Sequence, residues 1–200
     1  MQSTRQRNPG RREELIQIAT RMFARNGSRG TTLGDIAKAA GIAQATVVYH
    51  FGTKDELLHA VLDARDSFED ALLWRLGPDP GMRIFQAVAD IVAEWEQNAE
   101  IVGLMGVLIA ENLGDDGALR PRLAENYRAT VERIASTLRS AQGRGEMRDD
   151  VDPTWKATEI LAFLSGLELA WLVSPNVNAA EVAASWAKEQ TRNLTPQLAD

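Results

Sequence analysis

Two short helices separated by one glycine are the feature that most constrains this sequence. They lie in residues 31–51, TTLGDIAKAAGIAQATVVYHF. Thr32 comes three residues before Asp35, the spacing of a capping box, and predicts the start of the first helix. Gly41 ends that helix, and the second is predicted over residues 44–51. Two short helices joined by a tight glycine turn, after a leading helix, predict a helix-turn-helix.

The rest of the sequence also predicts helices. Nearly every segment repeats its apolar residues with the helical period, and no run alternates like a strand. We therefore expect an all-α protein. Besides the pair above, helices are predicted over a leading segment that ends at Gly27 and over residues 54–75, 81–98, 100–113, 117–142, 153–173 and 179–193.

Charge divides the sequence into a basic head and an acidic body. Residues 1–54 contain nine lysines or arginines and three acidic residues, whereas the whole chain has a net charge of −6. A basic head on an acidic body indicates that the head binds a polyanion such as DNA. Chance clustering of surface charge is the alternative.

Composition argues against an enzyme. The sequence has no cysteine and two histidines, no paired metal ligands on a helix, and no glycine-rich phosphate loop after a strand. We expect no cofactor and no metal.

The longest apolar run, residues 101–110, is half a membrane span, and the N-terminus lacks the apolar core of a signal peptide. A cytoplasmic protein without a membrane partner is therefore predicted.

The second short helix has the side chains that a DNA-reading helix needs. Gln44 lies at its N-terminal tip and can pair with adenine, Thr46 can reach several bases, and the small Ala45 leaves room near a thymine methyl. Tyr49 and His50 follow and suit the DNA backbone. The predicted DNA contacts are Arg5, Arg7, Arg11, Thr32, Gln44, Ala45, Thr46, Tyr49, His50 and Lys54.

Residues 11–62 resemble the DNA-binding domain of the TetR family of bacterial transcriptional regulators. The matching segments are ELIQIATRMFARNG and TTLGDIAKAAGIAQATVVYHFGTKDELLHAVL. The resemblance implies DNA-backbone contacts at Thr46, Tyr49, His50 and Lys54. It also implies a three-helix head, residues 1–54, joined by a long connecting helix to a helical ligand-binding and dimerisation domain, residues 55–200.

The sequence departs from the family pattern at two positions. Ala43 stands where the family often has serine or threonine as the helix cap. Val48 stands where the family usually has an aromatic residue that contacts phosphate. We therefore expect one backbone contact of the family to be absent here, and Val48 is a candidate for contact with a thymine methyl instead.

The arginines before and at the first helix have two interpretations. Arg5, Arg7, Arg11 and Arg12 predict a flexible basic arm on phosphates or in a minor groove. The alternative is a solvated tail.

The segment ILAFLSGLELAWLV, residues 160–173, is apolar nearly all round, so it must be covered on both sides. A partner subunit is predicted on one side, because one short recognition helix reads too few bases to be specific. A helix buried within one monomer is the alternative. The predicted dimerisation residues are Ala162, Phe163, Gly166, Leu167, Ala170, Val182 and Trp186.

The large side chains of the body predict a ligand cavity between its helices. Large side chains at helical spacing form either a pocket or plain core, and Glu111 either orients a ligand or is a hydrogen-bonded structural group. The predicted ligand contacts are Trp74, Phe85, Trp95, Met105, Glu111, Tyr127 and Trp171.

We expect a homodimeric repressor released from a palindromic double-stranded operator by a small, mostly apolar molecule. An activator, or a protein adaptor without ligand response, is the alternative.

Overall fold

The chain is all-helical in the part that the computed structural model describes, residues 9–74, 77, 79–112, 119–174 and 176–197, with backbone alone for residues 9, 67–74, 100 and 101. The α-helices are α1 (Pro9–Asn26), α2 (Leu33–Ala39), α3 (Gln44–Phe51), α4 (Lys54–Trp74), α5 (Ile84–Ala93), α6 (Ala99–Val102), α7 (Leu104–Glu111), α8 (Arg120–Gly143), α9 (Pro153–Val173) and α10 (Ala179–Leu194). Two 3₁₀ turns are Gly81–Arg83 and Trp95–Asn98. Among these described helices, none has the length and apolar character that a membrane crossing requires.

The chain forms two compact units. The first contains Met1–Asp70 with Glu100–Asp115, and the second contains Ala71–Ala99 with Asp116–Asp200. These units do not follow the predicted functional division after residue 54, because α7 packs against α1 and most of α4 belongs to the first unit. The functional division itself remains a prediction.

The core of the first unit holds the helix-turn-helix together. Leu15, Phe23, Ile36, Val47 and Leu57 are fully buried. They come from α1, α2, α3 and α4, so the short α3 is fixed by its neighbours rather than by its own helix propensity.

The start of α2 confirms the predicted capping box. The Thr32 hydroxyl accepts a hydrogen bond from the Asp35 amide at 3.1 Å, and the Thr32 amide donates to the Asp35 carboxylate at 3.0 Å. These hydrogen bonds from Thr32 lower the pKa of Asp35. Gly41 has φ +65°, a left-handed conformation that favours glycine, and it makes the tight turn into α3.

The second unit consists of two pairs of packed helices, α8 with α9 and α5 with α10. Phe85, Leu138, Ile160 and Ala183 are fully buried there. The helix α9 begins at Pro153, as the sequence predicted. The Asp152 carboxylate caps it by accepting hydrogen bonds from the amides of the second and third helical residues at 2.7 and 3.0 Å.

Two segments that were predicted as single continuous helices are interrupted in the structure. The stretch predicted as one helix over residues 81–98 is a 3₁₀ turn, then α5, then a second 3₁₀ turn. The stretch predicted over residues 100–113 is divided into α6 and α7 at Gly103, a residue that weakens helix interiors. The apolar period persists across both breaks, which is why the pattern predicted continuous helices.

Candidate nucleic-acid interface

Two buried anchors fix which face of α3 is turned outward. Val47 is 0% and Phe51 6% exposed, so both side chains belong to the core. Gln44, Ala45, Val48 and Tyr49 lie on the remaining surface and are exposed. Thr46 and His50 are half-buried at its edge. The structure therefore brings Gln44, Ala45 and Tyr49 together on one outward face, with Thr46 beside them at its edge.

The N-terminus of α3 is open to an anion. The N-cap residue, Ala43, has no side-chain group that could accept a hydrogen bond from the first amides of α3. Among the described contacts, the Ala43 carbonyl accepts one hydrogen bond, from the Thr46 amide at 2.9 Å. The first amides of a helix point outward with a partial positive charge, so such an end favours phosphate.

Gln44 lies close to α2. A Cβ atom built on Gly34 would be 3.3 Å from the Gln44 amide oxygen. An alanine at position 34 would therefore require the Gln44 amide oxygen to shift slightly, whereas glycine leaves it in place.

The aromatic residues of α3 form a small cluster. The Tyr49 and His50 rings meet edge to face with centroids 5.4 Å apart, and Tyr49 is 53% exposed. His50 Nδ1 is buried and has no hydrogen-bond partner among the described residues. A phosphate oxygen could therefore bond only to the Nε2 atom of this ring.

Thr32 and Lys54, both predicted DNA contacts, have hydrogen-bond partners within the protein. The Thr32 hydroxyl donates to Asp35 Oδ2 at 2.6 Å, which commits it to the cap of α2. Lys54 Nζ donates to the Ser28 carbonyl at 3.0 Å. An ammonium group has two further hydrogens, so Lys54 keeps the capacity for a second acceptor, whereas Thr32 has used its one hydroxyl hydrogen.

The arginines of the arm are only partly described. Arg5 and Arg7 lie outside the described residues. Arg11 pairs with Glu14 at 2.8 Å, and Arg12 lies over the Phe51 ring with its guanidinium carbon 5.1 Å from the centroid. The start of α1 is thus linked to the end of α3.

Glu111, predicted as a ligand contact, instead binds the loop between α1 and α2. Its carboxylate accepts hydrogen bonds from the Ser28 amide at 2.8 Å, the Ser28 hydroxyl at 2.6 Å and the Arg29 amide at 3.2 Å. Burial raises the pKa of Glu111, but these hydrogen bonds and the Arg29 charge outweigh it and leave the pKa lowered. Sequence reasoning missed this contact of Ser28 and Arg29, since the only signal was a carboxylate at the end of an apolar helix.

The other predicted ligand residues are divided between the two units. Met105 is half-buried on α7 in the first unit. In the second unit, Trp95 is 8% exposed and its ring lies 5.7 Å from that of the half-buried Trp171. Phe85 is fully buried against Trp186, and Tyr127 is 48% exposed. The side chain of Trp74 lies outside the described residues.

The helix α9 has one covered face and one exposed face, although it is apolar all round. The exposed face includes Trp155 at 76%, Leu169 at 64% and Val173 at 75%, and it also carries Ala162, Gly166 and Ala170. These last three are predicted dimerisation residues.

The remaining predicted dimerisation residues divide by burial. On α10, Val182 is 43% exposed. Leu167 is 7% exposed and lies on the covered face of α9, because it is about 140° around the helix from Ala162. Phe163 and Trp186 stack on each other with centroids 4.2 Å apart, so these rings are partners within one chain.

Comparison with known proteins gives consistent matches along the chain. Residues 15–61 match the family described as bacterial regulatory proteins, tetR family. Residues 83–196 match the C-terminal domain of the BetI-type transcriptional repressor. The HTH-type transcriptional regulator SrpR of Pseudomonas putida is 28% identical over 142 residues, which is 70% of this chain and 65%, just under two thirds, of SrpR.

Solved structures show the same fold. A transcriptional regulator from Saccharomonospora viridis in complex with choline has a TM-score of 0.76 at 21% identity, over 94% of this chain and 99% of that one. SmeT in complex with triclosan has a TM-score of 0.77 at 20% identity, over 92% of this chain and 90% of SmeT.

Proposed function

Since the chain belongs to the TetR family of bacterial regulatory proteins, with a C-terminal part of the BetI repressor type, we propose that it is a homodimeric repressor. It binds a palindromic operator through α3 and is released by a small, mostly apolar ligand. The observation that carries this proposal is the outward face of α3, where Gln44, Ala45 and Tyr49 are exposed while Val47 and Phe51 anchor the helix.

The proposed DNA contacts follow from that face. Gln44 reads a base edge near the N-terminus of α3, with Ala45 and Thr46 beside it. Tyr49, the Nε2 atom of His50 and the ammonium of Lys54 contact the DNA backbone. Arg5, Arg7 and Arg11 add contacts from the arm, and Thr32 contributes by fixing α2.

The proposed dimer uses the exposed apolar face of α9. Large apolar side chains such as Leu169 and Val173 are mostly exposed there, and a surface of this kind is stabilised when a second subunit covers it. Small residues at positions 162, 166 and 170 allow two α9 helices to approach closely across a two-fold axis, with Val182 of α10 at the edge. Two heads then read two half-sites.

The proposed ligand binds in the second unit near Trp95 and Trp171. Two proteins of the same fold were solved with small molecules, choline in one and triclosan in the other. The buried Trp95 and the half-buried Trp171 supply aromatic surface for such a molecule. Phe85 serves the core, and Glu111 serves the loop of the first unit.

Ligand and operator binding are proposed to be antagonistic. A ligand that favours a conformation with the wrong spacing of the two heads weakens operator binding, and the operator weakens ligand binding by the same factor. A nearly complete switch needs about 5 kcal/mol of differential affinity between the two states. The long α4, which runs from the first unit into the second, is the proposed lever.

Selection of bound duplexes from an unmethylated random pool tests the proposal. We expect a palindrome with half-sites about one helical turn apart or somewhat more, and weaker binding as salt rises. An activator would bind the same palindrome and differ in a transcription assay. Failure to enrich any sequence, with and without a library of apolar ligands, would overturn DNA binding and favour the adaptor alternative.

A further inference from the structure

The centre of the outward face of α3 is apolar. Val48 is 42% exposed and Ala45 is also exposed, and they lie between Gln44 and Tyr49 around the helix. The buried Val47 and Phe51 prevent α3 from turning this valine into the core. A β-branched apolar side chain is therefore presented to solvent at the middle of the surface that the proposed function directs into the major groove.

A valine at this place has few possible partners on DNA. It cannot donate a hydrogen bond to a phosphate or to a base. The base edges of the major groove carry donors and acceptors and, on thymine alone in unmethylated DNA, a 5-methyl group. The small Ala45 next to Val48 adds no bulk that would hold the helix away from that methyl.

We propose that Val48 is a specificity-determining residue that contacts the 5-methyl group of a thymine in each operator half-site. This inference rests on the proposed function, because it requires α3 in the major groove. Valine in a helix strongly prefers one χ1 rotamer, so its two methyl groups are held in one place before binding. Such a fixed apolar contact distinguishes thymine from a pyrimidine without the methyl.

The position of the thymine follows from helix geometry. Gln44 and Val48 are four residues apart, which is about 6 Å along the helix axis. Stacked bases rise by about 3.4 Å per step. We expect the thymine within about two base pairs of the base that Gln44 contacts.

Replacement of thymine by deoxyuridine in the selected operator tests the inference, because it removes the methyl and keeps base pairing. Each thymine of both half-sites is replaced in turn, and the dissociation constant is measured for the wild type and for Val48→Ala. At one symmetric pair of positions we expect the wild type to bind roughly fourfold more weakly per half-site, the factor for one buried methylene-sized group. Val48→Ala should bind the thymine operator more weakly and respond little to deoxyuridine there.

Tyr49→Phe is the matched control on the same face. It should weaken both operators by the same factor and keep the preference for thymine, since its hydroxyl is proposed to contact the backbone. Because Val48 is exposed, Val48→Ala should retain the melting temperature of the wild type.

The outcomes separate this inference from the proposed function. A wild-type protein that enriches no operator, with and without the library of apolar ligands, would overturn the function itself. A wild-type protein that binds its operator but tolerates deoxyuridine at every position would overturn the role of Val48 alone. So would a Val48→Ala variant that keeps the full preference for thymine.

Discussion

The Glu111 carboxylate at the end of α7 holds Ser28, 83 positions earlier in the chain, through its amide at 2.8 Å and its hydroxyl at 2.6 Å. The neighbouring Gly27 has φ +75°, and a Cβ atom there would lie 2.1 Å from Glu111 Oε1. Lys54 binds the Ser28 carbonyl from α4. Two helices thus fix the loop that leads into α2.

Glu111→Gln should destabilise the protein. An amide can accept through its one oxygen but brings no negative charge and turns an NH₂ group toward donors that already occupy the site. We expect the free energy of unfolding to fall by about 1–2 kcal/mol. This is near the lower end for hydrogen bonds to charged groups, because the site is part-exposed. Urea unfolding measures the change. Glu125→Gln, which removes an exposed pair with Arg128 on α8, should cost less than about 0.5 kcal/mol; equal losses in the two variants would contradict the role of Glu111.

The stabilisation by Glu111 should depend on pH in one direction. The folded-state pKa of this carboxyl lies below its ordinary value of 4.5. The contribution is therefore fully present above that value and is lost as the pH falls through the lowered pKa. The difference in unfolding free energy between wild type and Glu111→Gln should be constant from pH 7 to 5 and shrink below 4.5. If this difference in unfolding free energy grew on acidification, it would contradict the lowered pKa of Glu111.

The elements that the sequence predicts well are those with local causes. The capping box of Thr32 and Asp35 joins residues three apart, and the bounds of α3 follow from Gly41 and the spacing of its apolar residues. The contact between Glu111 and Ser28 could not be predicted, because neither residue has a local reason to meet the other. The same holds for the stacking of Phe163 on Trp186, which joins α9 to α10.

Helix faces show a second limit of the sequence. An all-round apolar α9 does not indicate which side is covered, and Leu167 and Gly166 are adjacent in sequence but lie on different faces. The packing of α8 against α9 determines which face of α9 is covered.

Loss of Arg5 and Arg7 from the arm should lower the salt dependence of operator binding. Arg5→Ala with Arg7→Ala removes two positive charges per subunit before α1, so the slope of log K against log salt should fall by about 0.9 for each phosphate that is no longer neutralised. Fluorescence anisotropy at several salt concentrations measures the slope. Arg128→Ala with Arg139→Ala removes the same charge from exposed positions of α8 and should leave the slope unchanged. An unchanged slope in this variant would remove Arg5 and Arg7 from the mechanism.

Leu169→Glu should break the proposed dimer. Leu169 is 64% exposed in the single chain, and in the dimer one carboxylate from each subunit would enter an apolar interface. We expect the dimer to weaken by roughly a hundredfold or more, since an unpaired charge is costly to bury. Sedimentation equilibrium measures the association. Tyr127→Glu makes a similar change at a 48% exposed position of α8 and should leave the dimer intact. A Leu169→Glu protein that remains dimeric would place the interface elsewhere.

Two glycines of the first unit should respond in opposite ways to alanine. Gly27→Ala forces an L side chain into φ +75° and pushes a methyl into the Glu111 carboxylate, so it should destabilise the protein by about 2 kcal/mol. Gly34 lies within α2, and alanine there should stabilise the helix by about 0.5–1 kcal/mol. The new methyl would however lie 3.3 Å from the Gln44 amide oxygen and displace it. Gly34→Ala should therefore be the more stable protein and the weaker operator binder.

Thermal unfolding and operator titration of the two variants test this pair together. Gln44→Ala separates the causes: if Gly34→Ala acts through Gln44, it should have no further effect on operator affinity once Gln44 is alanine. Two alanine variants that shift stability in the same direction would contradict the geometry of the loop, and a Gly34→Ala protein with full affinity would show that Gln44 is free to move without cost.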